Sequence, residues 1–276
     1  MRNILGAGAL GSVARFAGAE PARPPDSVFD CHLHCPSDEA HEIEQWYPVM
    51  RSFEDFAQYL DRAGVQRGII ANGRNLTANS PAEFIAGNRE VARYVEKYGG
   101  RFIGSAVVNP VFLDEALREV EDCRKQLGFK WVGELCNYIG PHQYRYDSPQ
   151  FEALVRKVVE LKMILHVHTE GDEMRYVIEK FAQATLVFAH FGDDHEYDHI
   201  FKRIDLVGQH SNCYLDTSGY GHDRVGVLEY AVKTIGPDRI LFGSDFTIND
   251  PSTVIARIQN AFLSEEEKRK ILCGNL

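Results

Sequence analysis

From residue 27 onward, short runs of apolar residues alternate with longer stretches in which apolar residues recur every three to four positions. The short runs are almost continuously apolar, which is typical of parallel strands that are buried on both faces. The longer stretches have the period of amphipathic helices. Eight strands are predicted, over 28–33, 66–71, 102–108, 130–135, 163–168, 185–190, 212–216 and 239–243.

Eight predicted helices alternate with these strands, over 53–63, 81–98, 113–127, 149–161, 173–181, 197–207, 224–235 and 252–262. Pro81 and Pro149 would occupy the first helical turn, where the missing N–H group costs little. Gly64 and Gly236 follow helical runs, where a left-handed residue is favoured. Eight strand–helix pairs predict an α/β fold, a (β/α)8 TIM barrel over 27–276. A doubly wound sheet is the alternative, but no Gly-x-Gly-x-x-Gly follows the first strand.

Residues 1–26 differ from the rest of the chain, because they are rich in Gly, Ala and Pro and poor in large apolar residues. One interpretation is a weak export leader, in which Arg2 precedes an apolar run over 4–14. The other is a flexible tail, which the glycines of that run and the following Arg15 favour. We therefore expect a cytoplasmic protein, with export as the open alternative.

Composition narrows the classes of partner. The chain of 276 residues carries 30 Lys and Arg against 40 Asp and Glu, a formal charge of −10, and only six cysteines. Its acidity argues against a broad contact with nucleic acid or anionic lipid. No apolar run reaches the length of a membrane-spanning helix. The cysteines are too sparse for a disulfide scaffold, so we expect reduced thiols.

Imidazole and carboxylate groups recur at the ends of five predicted strands, and a TIM barrel places those ends around one active site. The strands end in Asp30-Cys31-His32-Leu33-His34, Gly133-Glu134, His166-Val167-His168, Ala189-His190 and Gly243-Ser244-Asp245. We therefore predict a divalent metal site built from residues that are distant in sequence.

The spacing within each strand suggests roles. His32 and His34 are two residues apart, so both side chains point to one face and can bind one ion. His168 lies nearer the strand end than His166 and is the expected ligand, with His166 one layer deeper. Asp245 is expected to bind the metal and to handle a proton.

Glu134 and His190 have more than one interpretation. Glu134 either bridges two ions as an anionic ligand or accepts a backbone hydrogen bond. His190 is expected to bind a second ion or to act as a general acid or base beside the first. The number of ions, one or two, stays open.

These motifs together resemble the amidohydrolase superfamily, in its amidohydrolase-2 branch, over about residues 27–276. The matching segments are 29–34, 164–169, 187–192, 214–219 and 240–246, with 270–276 similar to the closing helix and Gly-Asn turn. The resemblance implies a mononuclear zinc-type site of His32, His34, His168 and Asp245, and a catalytic or second-metal role for His190. Gly133-Glu134 also resembles TatD-type deoxyribonucleases, in which the Glu helps to hold two metals.

The function expected from this resemblance is hydrolysis of an amide, ester or lactone of a small molecule. A bound Zn²⁺ would activate water, Asp245 would take its proton, and His190 would stabilise the developing charge. The alternative is a non-oxidative decarboxylase of an aromatic or enoic acid, which the same branch contains. A non-catalytic scaffold is disfavoured by the complete metal-type positions, and a nuclease by the charge.

Loops after the second, third and fourth strands are expected to determine specificity. Their polar candidates for substrate binding are Arg74, Asn109, Tyr138, His142 and Arg145. Arg74 or Arg145 would hold a substrate carboxylate through two hydrogen bonds. The expected partner is a small-molecule substrate, and association into a homo-oligomer stays open.

Overall fold

The computed structural model describes residues 27–37, 52–169, 171–192 and 194–276. The predicted tail over 1–26 lies outside the described residues. Eight strands form one parallel sheet in sequence order. They are β1 (Phe29–Cys35), β2 (Arg67–Asn72), β3 (Phe102–Ala106), β4 (Trp131–Cys136), β5 (Ile164–His168), β6 (Thr185–Phe188), β7 (Cys213–Asp216) and β8 (Ile240–Leu241).

Helices follow the strands in the described part of the chain. They are α1 (Phe53–Ala63), α2 (Pro81–Lys97), α3 (Leu113–Lys125), α4 (Pro149–Glu160), α5 (Gly171–Lys180), α6 (Tyr197–Gly208), α7 (Val227–Ile235), α8 (Pro251–Gln259) and the short α9 (Glu265–Arg269). Side-chain oxygens begin several of them: Ser52 accepts the backbone N–H of Asp55, and Ser148 accepts that of Phe151. Such caps satisfy N–H groups that have no partner within the helix.

The sheet closes on itself through the chain that follows β8. The backbone N–H of Cys31 donates to the Phe242 carbonyl at 2.8 Å, and that of Asp245 donates to the His32 carbonyl at 2.9 Å. The predicted (β/α)8 TIM barrel is therefore confirmed, with β5 ending at His168 as predicted. None of the helices in the described ranges has the length and apolar character needed to cross a bilayer.

Apolar residues form two separate clusters. The larger packs the outer faces of the strands against the helices, with Phe56, Phe102 and Phe188 among its buried members. The smaller contains Phe29, Cys31, Ile69, Trp131, Val187 and Leu241, with partly buried residues from β3, β5 and β7 packed against it. Because it draws on every strand, this smaller cluster fills the inside of the barrel below the strand ends.

Two irregularities in the strands reverse the alternation of side chains. The β1–β2 register shifts between Asp30 and Leu33, and the β4–β5 register shifts between Val132 and Leu135. In β1, Cys31 packs inside the barrel while Leu33 packs outside against the helices. A one-residue slip moves the following side chains to the other face. The histidines of β1 and Glu134 of β4 therefore face inward above the apolar cluster.

Candidate metal centre

Four electron-donating atoms converge inside the barrel at the carboxyl ends of the strands. His32 Nε2 lies 3.1 Å from His34 Nε2, 3.3 Å from Glu134 Oε2 and 3.5 Å from Asp245 Oδ1. His34 Nε2 lies 3.5 Å from Glu134 Oε2 and 3.0 Å from Asp245 Oδ1. All four side chains are buried. We refer to them as the four-donor cluster.

The dimensions of the four-donor cluster fit a divalent ion. Five of its six edges measure 3.0 to 3.5 Å. The centre of a regular tetrahedron of that size lies about 2 Å from each corner, which is the usual distance from Zn²⁺ to nitrogen and oxygen ligands. Asp245 Oδ1 is buried and makes no hydrogen bond of acceptable geometry. A buried carboxylate oxygen without a donor is costly, and a cation would remove that cost.

Asp216, at the end of β7, holds the imidazoles around the cluster in place. Its Oδ2 lies 2.9 Å from His32 Nδ1 and 3.0 Å from His166 Nε2, and its Oδ1 accepts the backbone N–H of His190 at 3.0 Å. Asp216 is fully buried. Asp216 was not among the site residues predicted from sequence, although it ends its strand as the other acids do.

This network assigns the protons on two imidazoles. His32 Nδ1–H donates to Asp216, so Nε2 presents a lone pair to the four-donor cluster. The Ser218 hydroxyl donates to Asp216 Oδ1, which leaves Ser218 Oγ to accept His190 Nδ1–H at 2.8 Å. His190 Nε2 therefore presents a lone pair as well. A carboxylate behind a metal-binding imidazole fixes its tautomer in this way.

Burial and charge act in opposite directions on these groups. Burial alone would lower the pKa of His32, but three carboxylates within 3.5 Å raise it well above its usual range. Burial, assisted by the charge of His168, lowers the pKa of His190 to about 4. Near neutral pH His190 is therefore uncharged, while the His32 imidazole attracts a positive charge, whether a proton or a metal ion.

A second group of donors lies beside the first. Glu134 Oε1 is 3.0 Å from His168 Nδ1 and 3.9 Å from His190 Nε2. From its sequence position His168 was expected beside His32, His34 and Asp245, whereas its ring lies in this second group. The physical reason is that His168 directs Nδ1 to Glu134 and Nε2 to the Tyr138 hydroxyl, 3.3 Å away.

His166 lies one layer deeper than His168. Its Nε2 bonds Asp216 Oδ2, and its ring packs edge-on against His32 and Trp131, with centroids 4.6 and 5.9 Å apart. Burial lowers the pKa of His166. The arrangement makes His166 a buried imidazole that supports Asp216 and His32 from below.

Both groups open into a cavity of about 730 Å³ at the mouth of the barrel. Its floor includes His34, Glu134, His168, His190 and Asp245. Its walls include Leu76, Cys136, Asn137, Tyr138, Ile139, Glu173, Tyr220, Ile248 and Asn249. A cavity of this size accommodates a small aromatic or aliphatic molecule.

Of the five predicted substrate-binding residues, the structure brings only Tyr138 to this cavity. Asn109 Nδ2 instead donates to the His142 carbonyl, and His142 Nε2 bonds the Asn79 carbonyl. Arg145 is exposed and makes two 2.7 Å hydrogen bonds to Asp147.

Arg74 belongs to a separate pocket. It lies in the turn after β2, and the pocket that it lines also contains Glu83 and Glu90. The expectation that an arginine of these loops holds a substrate carboxylate therefore does not fit the cavity. Asn109, His142 and Arg145 bond neighbouring loop residues, and Arg74 lines its own pocket, so none of the four lines the cavity at the strand ends.

Two of the site residues have an unusual backbone. His190 (φ 68°) and Asp245 (φ 60°) are two of the three non-glycine residues with positive φ in the described ranges. Such conformations cost energy and persist where the surroundings enforce them, often at functional sites. Gly219 (φ 58°) packs so closely that a Cβ there would lie 2.2 Å from His190 Nδ1.

Comparison with known proteins places this chain in a family. The amidohydrolase family model matches residues 29–275. Gamma-resorcylate decarboxylase of Polaromonas sp. (strain JS666 / ATCC BAA-500) is 25% identical over 271 residues, covering 78% of this chain and 79% of the relative.

Solved structures show the same fold. A 2,6-dihydroxybenzoate decarboxylase complexed with 2,6-dihydroxybenzoate superposes with a TM-score of 0.71 at 17% identity, covering 90% of this chain and 97% of the other. The dihydroxybenzoic acid decarboxylase from Polaromonas sp. JS666, with bound manganese and the inhibitor 2-nitroresorcinol, gives 0.68 at 19% identity, with 90% and 95% covered. The 5-carboxyvanillate decarboxylase from Sphingomonas paucimobilis gives 0.70 at 15% identity, with 90% and 97% covered.

These comparisons correct the expected reaction. The prediction of an amide, ester or lactone hydrolase is wrong, because the curated relative and these three solved structures are decarboxylases. The alternative reaction, non-oxidative decarboxylation, is the one that they favour. The sequence motifs did not separate the two reactions, because the resemblance implies the same metal-binding residues for both.

Proposed function

Because the chain belongs to the amidohydrolase family, we propose that it is a metal-dependent, non-oxidative decarboxylase of a hydroxylated aromatic carboxylic acid. The observation that carries the proposal is the four-donor cluster at the floor of a cavity that fits one aromatic ring. We also propose the cytoplasmic location that the sequence predicted.

We propose His32, His34, Glu134 and Asp245 as the residues that hold a divalent ion. Two imidazoles and two carboxylates suit Mn²⁺ as well as Zn²⁺, and manganese is the ion bound in the Polaromonas decarboxylase. Such an ion would bind the substrate's carboxylate and neighbouring hydroxyl oxygen and withdraw electron density from them.

The second group offers three donors and a weaker site. Glu134 Oε1, His168 and His190 lie within 4.8 Å of one another, but the His168 imidazole is already hydrogen-bonded to Glu134. We therefore propose one tightly bound ion in the four-donor cluster and a second, weaker one in this group. Titration of the metal-free protein with Mn²⁺, followed by electron paramagnetic resonance, should show two separate binding steps.

Asp245 is proposed as the proton donor. Its Oδ1 faces the four-donor cluster, while Oδ2 accepts a hydrogen bond from Asn249 Nδ2 at 3.3 Å, beside the cavity. One oxygen can thus bind while the other carries a proton. His190 is the weaker candidate, because its Nδ1–H is bonded to Ser218 Oγ and its Nε2 presents a lone pair rather than a proton.

In the reaction, the proton on Asp245 Oδ2 moves to the ring carbon that bears the carboxylate. The carbon–carbon bond then breaks, its electron pair returns to the ring, and carbon dioxide leaves. Solvent restores the proton to Asp245. The apolar side chains of Leu76 and Ile139 limit water around the ring and so favour protonation at carbon.

The test uses the Mn²⁺-loaded full chain with 2,6-dihydroxybenzoate and related aromatic acids. We expect one carbon dioxide per molecule consumed and, in D₂O, one deuterium on the carbon that lost the carboxylate. His32→Ala should abolish turnover, whereas His199→Ala, which removes an exposed imidazole on α6, should not. Hydrolysis of an ester or lactone panel without release of carbon dioxide from any acid would refute the proposal.

A further inference from the structure

The described lining of the active-site cavity contains carboxylates but no side chain of lysine or arginine. Glu134, Glu173 and Asp245 line it, and none of its lining residues in the described ranges is Lys or Arg. The proposed metal ligands Glu134 and Asp245 would face a bound ion, whereas Glu173 belongs to neither group of metal donors and has no Lys or Arg beside it in this lining. The substrate's own carboxylate would therefore be attracted to the metal centre and repelled by Glu173.

Glu173 lies in the first turn of α5, on a wall of the cavity rather than in the four-donor cluster. Asn137 Nδ2 donates to both of its carboxylate oxygens, at 3.2 and 3.1 Å. This contact fixes the carboxylate, and a carboxylate has about four acceptor positions, so most of them stay available to a ligand.

The other walls of the cavity suit an aromatic ring. Ile139 and Ile248 supply apolar surface, and the phenol rings of Tyr138 and Tyr220, both about half exposed, stand at the mouth. Flat apolar surfaces with one fixed acceptor give a preferred orientation to a ring that carries a hydrogen-bond donor.

Building on the proposed function, we infer that Glu173 is a specificity-determining residue. It selects aromatic acids with a single carboxylate and with a neutral hydrogen-bond donor, hydroxyl or amino, elsewhere on the ring. It disfavours dicarboxylates, because their second carboxylate would approach Glu173 with no Lys or Arg among the described lining residues to receive it. The donor would instead form a charge-assisted hydrogen bond to Glu173.

The experiment measures binding to the Mn²⁺-loaded full chain by calorimetry, with 2-hydroxybenzoate and its derivatives bearing hydroxyl or carboxylate at C4 or C5. The position that matters is whichever of C4 and C5 gives the larger effect on affinity. There we expect the hydroxyl to strengthen binding by about 10-fold, and the carboxylate to weaken it by about 10-fold or more, relative to 2-hydroxybenzoate. Glu173→Gln should reduce both effects to less than about 3-fold.

The matched control is Asp172→Asn, which removes the same charge from the neighbouring exposed residue outside this cavity. It should keep the wild-type order of affinities. The inference is overturned if the dicarboxylates bind as tightly as 2-hydroxybenzoate, if Glu173→Gln keeps the wild-type order, or if none of the acids binds at millimolar concentration. Acids that bind in the expected order without releasing carbon dioxide would refute the proposed reaction alone.

Discussion

Replacing Asp216 by Asn should weaken metal binding although this side chain lies outside the four-donor cluster. Asp216 Oδ2 accepts His32 Nδ1–H at 2.9 Å, and Oδ1 accepts the backbone N–H groups of His190 and Ser218. An amide has one oxygen for these donors. If the oxygen stays with the backbone groups, the NH₂ group faces His32 Nδ1 and favours the tautomer with the proton on Nε2. That proton occupies the lone pair that would bind the ion.

The expected loss is about 10- to 100-fold in metal affinity, or about 1.4 to 2.8 kcal/mol. The carboxylate is charged throughout the working range, because His32 and His166 hold its pKa well below its usual value, although burial alone would raise it. We expect kcat/KM at limiting metal to fall with the affinity. Excess Mn²⁺ should restore only part of the activity, since His166 Nε2 bonds the same Oδ2 and also loses its acceptor.

The assay is competition for Mn²⁺ against a chelator of known affinity, with circular dichroism to verify folding. Asp238→Asn is the matched control. Asp238 is exposed and forms an ion pair with Lys270, and neither residue belongs to the four-donor cluster. Wild-type Mn²⁺ affinity in a folded Asp216→Asn protein would refute the assignment of the His32 tautomer.

Three further predictions concern the same site. Gly219→Ala should lower kcat by about 10-fold or more, measured by carbon dioxide release, because the new Cβ would displace the His190 ring; unchanged kcat would contradict this packing argument. His190→Asn should retain the tight ion by metal analysis but lose the weaker one, and loss of both would place His190 in the first group. Removing the metal with EDTA should lower Tm, and Mn²⁺ should restore it. The reason is that an ion bound to the folded state stabilises that state and offsets the repulsion between Glu134 and Asp245. A Tm that is insensitive to EDTA would argue against a resident ion.

The hydrophobic pattern was enough to predict the barrel. Parallel strands buried on both faces read as apolar runs, and helices that cover them read as amphipathic stretches, so the order of elements follows from local composition. The match is closest at α1, predicted over 53–63 and observed as Phe53–Ala63. It is poorest at β8, predicted over 239–243 and observed as Ile240–Leu241, because the chain after Leu241 bends into the turn that carries Asp245 and bonds β1 through separate backbone hydrogen bonds.

The sequence also located most of the candidate site, because a parallel barrel gathers the ends of its strands whatever their distance along the chain. It did not determine which face each side chain takes. Simple alternation from Cys31 would turn His32 outward, and the register shift in β1 turns it inward. Such a shift depends on the neighbouring strand, which local sequence does not contain.

Contacts across the barrel decided the remaining features. Asp216 acquires its role from the imidazoles of His32 and His166 and from the backbone N–H of His190, which other parts of the barrel supply. No local pattern around Asp216 predicts that role. Loop side chains such as Arg145 pair within their own loops, so their polarity in the sequence did not predict contact with the cavity. Local periodicity thus determined the scaffold of this protein, whereas the charges and hydrogen bonds of its site depend on distances between strands that only the closed barrel sets.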